Sequence, residues 1–273
     1  MTKINKFSLH KFDSRENINF DINLYSKLKY GSNVGYKFGV ELANNFFNKH
    51  KHLLSTKQIV ITESAYQMVR NAASVITDGF YDQLNQLLCE YNGFNCYRVK
   101  INRIVPYIQD YGKVSIEERV NLLKEDTFTM DFKFVRDKFI IFLDDIFITG
   151  THQRKIEEMC ENNYIDLNNC MCVYYAELTD PLTDPSIESY LNSYKIKTLN
   201  DLLDIINSET YTYTIVVRTL KMILQSDKND LIKFLPNLSK ELIVKIYKQI
   251  LAEGYHKNID FTENFNEIKK EIN

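Results

Sequence analysis

The chain has almost no excess charge: its 273 residues carry a net charge of -2. That removes the global electrostatic case for nucleic acid or an anionic membrane as a partner. No apolar run is long enough to span a bilayer, and Met1 to Phe20 lacks the apolar stretch of a secretory signal. A cytoplasmic location is the expectation. Cysteine is sparse too. The five, at 89, 96, 160, 170 and 172, form no Cys-x-x-Cys pair. Cys170 and Cys172 share one face of a predicted strand, where small buried thiols are common, so a disulfide or metal role is disfavoured. The five histidines form no His-Glu-x-x-His pattern, and His50 and His52 fall in a basic helix end, which disfavours a zinc enzyme. No internal repeat is evident. What remains is ordinary globular composition, 44% hydrophobic and 26% charged, with length enough for one α/β core and an appendage or for two small domains.

The informative stretch is Phe139-Ile-Ile-Phe-Leu-Asp-Asp-Ile-Phe-Ile-Thr-Gly-Thr151. It reads as an apolar strand over Phe139–Leu143 ending at two carboxylates, then a turn with two threonines around a glycine, then a helix over Gln153–Asn163. An anion sits well where a tight turn opens a helix, because backbone N–H groups converge and the helix dipole favours negative charge. Asp144 and Asp145 beside it could accept hydrogen bonds from vicinal hydroxyls. Phosphate plus diol describes a ribose 5-phosphate.

The rest of the chain alternates. A helix is predicted from Val34 to about Asn48, a strand over Gln58–Thr62, a helix over Asn71–Glu90, and a strand from Phe94 to Ile101. Residues 102–137 form a long insertion carrying Arg103, Tyr107, Tyr111, Lys113, Arg119 and Lys124. A strand over Cys170–Leu178 follows. This order predicts a largely parallel sheet covered on both faces. Beyond Pro185 the pattern is helical up to Gly254, with a charged tail over 258–273. Residues 1–30 resist assignment.

The motif resembles the 5-phosphoribosyl-1-pyrophosphate (PRPP) motif of type I phosphoribosyltransferases, departing from the common form at Phe147, Ile148 and His152. Further segments are similar to a bacterial branch of that family associated with tellurium-resistance and stress gene clusters. They are Tyr25-Ser-Lys-Leu-Lys-Tyr-Gly31 with Phe38 and Gly39, Val60 to Tyr66, Asp110-Tyr111 with Glu118-Arg119, and Leu143-Asp-Asp-Ile with Thr149-Gly-Thr-His152. The resemblance covers roughly residues 25–195.

It implies a three-layer α/β/α phosphoribosyltransferase domain at 31–185, with residues 1–30 contributing to a hood and 186–273 forming a helical extension. It also implies transfer of a phosphoribosyl group from PRPP to a nitrogen heterocycle, or the reverse. The alternative is a non-catalytic PRPP- or nucleotide-binding regulator on the same fold. The implied 5-phosphate site is Thr149, Gly150, Thr151 and His152, and the implied pyrophosphate loop is Glu63, Ser64, Ala65 and Tyr66. Asp144 and Asp145 would orient the ribose and meet Mg²⁺ mostly through substrate and water. Arg103, Lys113 and Arg119 would act from a closing lid, and Lys27, Lys29, Tyr30 and Glu177 are candidates for the hood or base site. Both acids are expected to lie outside the core, dispensable for folding. Nucleic acid and membrane are not expected as partners, and a homodimer stays open.

Overall fold

The computed structural model describes residues 3–91, 94–104, 128–180, 186–208, 210 and 212–272. Its strands are β1 (Asn5–Phe12), β2 (Ile59–Glu63), β3 (Tyr97–Arg98), β4 (Asn102–Arg103), β5 (Phe128–Thr129), β6 (Phe139–Phe147) and β7 (Cys170–Leu178). Five of them form a parallel sheet in the order β1-β7-β6-β2-β3, while β4 and β5 pair antiparallel apart from it. β2 and β6 are neighbours in register, Ile59 beside Phe139 through Glu63 beside Leu143. From that pair the chain winds outward in opposite directions, to β3 on one side and to β7 on the other. This is the switch point at which loops from neighbouring strands part to leave a crevice.

Both faces of the sheet are covered, as near-continuous apolar strands require. Ile59, Ile61, Ile141, Leu143 and Val173 pack with α1 (Ile22–Lys29), α2 (Val34–Leu54) and α3 (Ala72–Glu90). After the short α4 (Phe132–Val135), α5 (Thr151–Asn162) supplies Ile156, Met159 and Cys160 to the other face, against Val60, Ile140, Phe142, Cys172 and Tyr174. The result is the three-layer α/β/α arrangement expected. Cys96, Cys160, Cys170 and Cys172 are buried apolar fillers.

α6 (Ile187–Ser193) still packs on the sheet's core through Ile187 and Leu191. Beyond it, α7 (Leu199–Ile206), α8 (Val217–Gln225), α9 (Lys228–Phe234), α10 (Lys240–Ala252) and α11 (Thr262–Lys270) enclose a second core that includes Leu202, Leu220, Phe234, Ile246 and Ile268. Tyr30 and Val69, from the sheet half, belong to this core as well. Among the described residues, no helix is long and apolar enough to cross a membrane.

Four local expectations need correction. Residues 5–12 are an edge strand of the sheet itself, so residues 1–30 do more than contribute to a hood. The register Asn5 beside Met171 through Phe12 beside Leu178 fixes this, with Phe7 and Phe12 buried. The strand predicted from Phe94 to Ile101 shrinks to Tyr97–Arg98, the residues that reach Val60 and Ile61. β6 runs on past the two acids to Phe147, because β7 continues to pair with it at Asp144, Ile146 and Phe147. The charged tail folds as α11, since Phe261 and Ile268 bury themselves among the C-terminal helices.

The crossing of α2 and α3 depends on glycine at position 39. A Cβ there would lie 2.0 Å from the Ile76 carbonyl oxygen and 2.5 Å from the Phe80 nitrogen. Those are backbone atoms inside a helix and cannot give way. Gly39→Ala should therefore push the helices apart and cost about 3 kcal/mol. Urea unfolding followed by circular dichroism measures this; a variant within about 0.5 kcal/mol of the parent would refute the close packing.

Candidate functional site

Strand alternation decides the fate of the two acids. Successive side chains along a strand point to opposite faces, and because β6 carries on through both residues, Asp144 and Asp145 part company. Asp145 turns to the α1 side, where it is 6% exposed and accepts hydrogen bonds from the Tyr25 hydroxyl and the Lys29 ammonium. Tyr25 and Lys29 stand four residues apart on α1, hence on one face of it. Burial alone would raise the Asp145 carboxyl, but the Lys29 charge and the bonds from Lys29 and Tyr25 outweigh it and hold the group below its ordinary value. Burial and then the adjacent carboxylate push the Tyr25 phenol well above its usual range, so it remains a donor.

Asp144 turns the other way. Its Oδ1 accepts the Asp145 N–H at 2.9 Å, and its Oδ2 lies 2.7 Å from His152 Nδ1. The Ser64 hydroxyl stands 3.2 Å from the same ring nitrogen and 3.4 Å from Nε2. The Phe128 ring meets the imidazole edge-on, with centroids 5.7 Å apart. Asp144, His152 and Ser64 thus link the loop after β6 to the loop after β2 across the switch point.

The loop between β6 and α5 is the turn read from the sequence as a candidate phosphate site. Gly150, with φ of 70°, is the N-cap of α5; no side chain caps the helix and no acid lies in its first turn. A side chain at 150 would be strained at that φ and would press its Cβ within 3.0 Å of the Phe147 ring. The Thr149 and Thr151 hydroxyls are 2.9 Å apart. Arg154 donates to the Thr151 hydroxyl at 2.9 Å and to the Thr149 carbonyl at 3.2 Å. This cation beside the loop was missed in the sequence, although its place one helical turn after Thr151 is the available signal.

Ser64, Asp144 and the turn before α5 open into one cavity of about 820 Å³, lined by Ser64, Ala65 and Tyr66, by Asp144 through Gln153, by Lys29, Tyr30 and Arg103, and by residues of α6 and α8. Other candidates fall elsewhere. Glu63 is buried away from the cavity in an ion pair with Arg98 at 3.0 Å, and Arg98 also binds Asp78 at 2.7 Å. Glu177 pairs with Lys6 of β1 at 2.6 Å; burial would raise its carboxyl, and Lys6 holds it down instead. Neither it nor Lys27 is among the cavity-lining residues. Lys113 and Arg119 lie outside the described residues. The expected pyrophosphate loop is also partly committed. Within it the Ser64 N–H donates to the Leu143 carbonyl at 3.0 Å; beyond its four residues, the N–H groups of Met68 and Val69 donate to Glu253 Oε1 at 2.9 and 2.5 Å. Glu253 follows α10 and is 2% exposed. Nothing in its sequence neighbourhood marks it as a partner of residues 68 and 69.

The expectation that both acids are dispensable for folding is corrected for Asp145, whose pair is buried. Removing only the cation leaves a buried carboxylate without its counter-charge, so Lys29→Met should lose about 3–5 kcal/mol at neutral pH. The pH dependence carries a sign. In the parent the folded carboxyl lies below the unfolded value of about 3.9, so the pair's contribution is complete above that pH and is lost as pH falls through the folded value. Without Lys29 burial prevails and raises the carboxyl, so the variant loses stability as pH climbs from about 4 toward 7. Denaturant unfolding across this range reads both; parallel curves for parent and variant would sink the assignment.

No curated protein matches the chain. A family model, that of the PRTase ComF-like proteins, matches residues 4–268. It spans the sheet, the loops after β2 and β6, and most of the C-terminal helices. The chain belongs to this ComF-like phosphoribosyltransferase family.

Proposed function

We propose that the protein binds PRPP in this cavity and transfers its 5-phosphoribosyl group to a ring nitrogen of a small heterocycle, or runs the same step backwards on a nucleotide. The observation that carries the reading is the convergence of the uncapped α5 N-terminus, Thr149, Thr151 and Asp144 at the β2–β6 switch point. The 5-phosphate would sit on the amides of α5 with the two threonine hydroxyls, neutralised by Arg154. Asp144 would take a ribose hydroxyl, exchanging its His152 partner for the substrate. Asp145, already paired, would hold Lys29 at the cavity wall and does not bind the sugar. The similarity of Tyr25–Gly31 and Thr149–His152 to the branch associated with tellurium-resistance clusters supports placing Tyr25, Lys29 and His152 in one site design.

In the step itself, the bond from C1 to the pyrophosphate oxygen breaks and its electron pair leaves with pyrophosphate. The acceptor nitrogen then bonds C1, and its proton passes to water. Negative charge builds on the leaving group, which would lie at the loop after β2 beside the Ser64 hydroxyl and His152. Among the described residues there is no cluster of three or more metal-binding side chains. The fit is instead to an ion held by substrate: Asp144, a hard oxygen donor, would touch Mg²⁺ chiefly through water. When bound, Mg²⁺ would neutralise the pyrophosphate.

A second reading has its own support. A cavity whose acids and loop amides are engaged by Lys29, His152 and Glu253 suits a sensor that binds PRPP or a nucleotide without turnover. Isothermal titration with PRPP and Mg²⁺, alongside pyrophosphate release over a panel of heterocycles, separates the two, since binding without release favours the sensor. Asp144→Asn is the clean probe. It should lower phosphoribosyl transfer at least about 100-fold while leaving the unfolding midpoint near that of the parent. Unchanged turnover in this variant would reject the role given to Asp144.

A further inference from the structure

Between Ser64 and Arg70, the loop after β2 has four of its carbonyls bonded. The Ser64 carbonyl accepts from Asn71 Nδ2 at 2.9 Å, and that of Tyr66 from the Arg103 N–H at 3.2 Å. That of Gln67 accepts from Lys100 Nζ at 2.5 Å, and that of Arg70 from the Val217 N–H at 2.9 Å. Lys100 also lies over the Tyr66 ring, 4.2 Å from its centroid. The loop's N–H groups divide in two. Those of Met68 and Val69 converge on a single oxygen, Glu253 Oε1. Those of Ala65 and Gln67, two residues that line the cavity, have no partner among the described residues.

Glu253 is the C-cap of α10, where the helix dipole opposes a negative charge, and it is 2% exposed. A carboxylate so placed needs donors to offset its desolvation, and the loop supplies two. The local chemistry of α10 gives no reason for an acid there; the loop does. Peptide geometry carries the effect along the chain. A trans peptide unit is planar, with its C=O and the next N–H pointing in opposite senses. The Gln67 carbonyl on Lys100 and the Met68 N–H on Glu253 belong to one such unit, which is therefore fixed at both ends. The unit before it has its Tyr66 carbonyl on Arg103, so the Gln67 N–H points away from β4. The Ser64 carbonyl, held by Asn71, orients the Ala65 N–H in the same manner. Unpartnered N–H groups on residues that line a cavity are the donors an anion would use.

We infer that Glu253 is a positioning residue for the diphosphate end of the substrate: by anchoring the Met68 and Val69 amides, it sets the loop after β2 in the form that offers the Ala65 and Gln67 amides to the leaving pyrophosphate. It acts through the backbone and not by contact, since a carboxylate repels a diphosphate. The inference rests on the phosphoribosyl-transfer reading, which assigns pyrophosphate to this loop, and its test separates the two. The full chain is titrated calorimetrically with pyrophosphate and Mg²⁺ and, separately, with ribose 5-phosphate, which on that reading engages the Thr149–Thr151 turn instead. Glu253→Ala should weaken pyrophosphate about tenfold or more and leave ribose 5-phosphate within about twofold of the parent. Glu253→Gln keeps an acceptor oxygen, serves if the alanine form folds poorly, and should weaken pyrophosphate about threefold. Ile268→Val, a truncation in the C-terminal core, controls for lost stability: it should lower the unfolding midpoint and leave both affinities at the parental value. Unchanged pyrophosphate affinity in both Glu253 variants, an equal loss of ribose 5-phosphate, or an equal loss of pyrophosphate in Ile268→Val would overturn the positioning role and leave the transfer reading standing. A parent that binds ribose 5-phosphate but not pyrophosphate would also overturn it. Failure of both probes to bind the parent would sink the transfer reading and this role with it.

Discussion

The buried ion pair between Lys29 and Asp145 is the contact on which the site's layout depends. It joins α1, from the N-terminal part of the chain, to β6, the strand that leads into the Thr149–Thr151 turn. A carboxylate this far from water is tolerable only with a cation and a further donor, and Tyr25 supplies that donor. In return the pair commits Asp145 to protein partners, Lys29 and Tyr25. Two adjacent acids that look equivalent in the sequence become a structural anchor and a candidate ligand-binding group.

A second constraint comes from the far end of the chain. Glu253 sets its carboxylate on the amides of Met68 and Val69, and the Thr214 N–H donates to the Gly31 carbonyl at 2.8 Å. These bonds, with Tyr30 and Val69 in the C-terminal core, fasten the helical half to the loop after β2 and to the end of α1. The cavity is thus closed by residues more than a hundred positions away in sequence. Its lining is chemically mixed: the Thr149 and Thr151 hydroxyls and the N-terminus of α5 come from the sheet half, and Asn192, Arg218 and Lys221 from α6 and α8.

Much of the sheet was legible beforehand because buried strands announce themselves. The β-branched run at 59–62 and the apolar runs at 139–143 and 170–178 have the length and composition of fully covered parallel strands, and the Thr-Gly-Thr turn carries its own backbone requirement at Gly150. β1 escaped notice because an edge strand buries only part of one face, and its Phe7 and Phe12 stand among charged and polar residues. α11 was hidden for the same reason, a narrow apolar stripe in a charged segment.

The sequence by itself determined the layered α/β class and the strand–turn–helix unit from Phe139 to Asn162. Those follow from local periodicity and turn chemistry, which act over a few residues. Only the tertiary structure decided that Asp144 and Asp145 face apart, that Glu63 and Glu177 serve ion pairs away from the cavity, and that α6 and α8 line the same cavity. Each of those outcomes depends on which distant charge or amide arrives beside a given carboxylate, and no local pattern encodes that arrival.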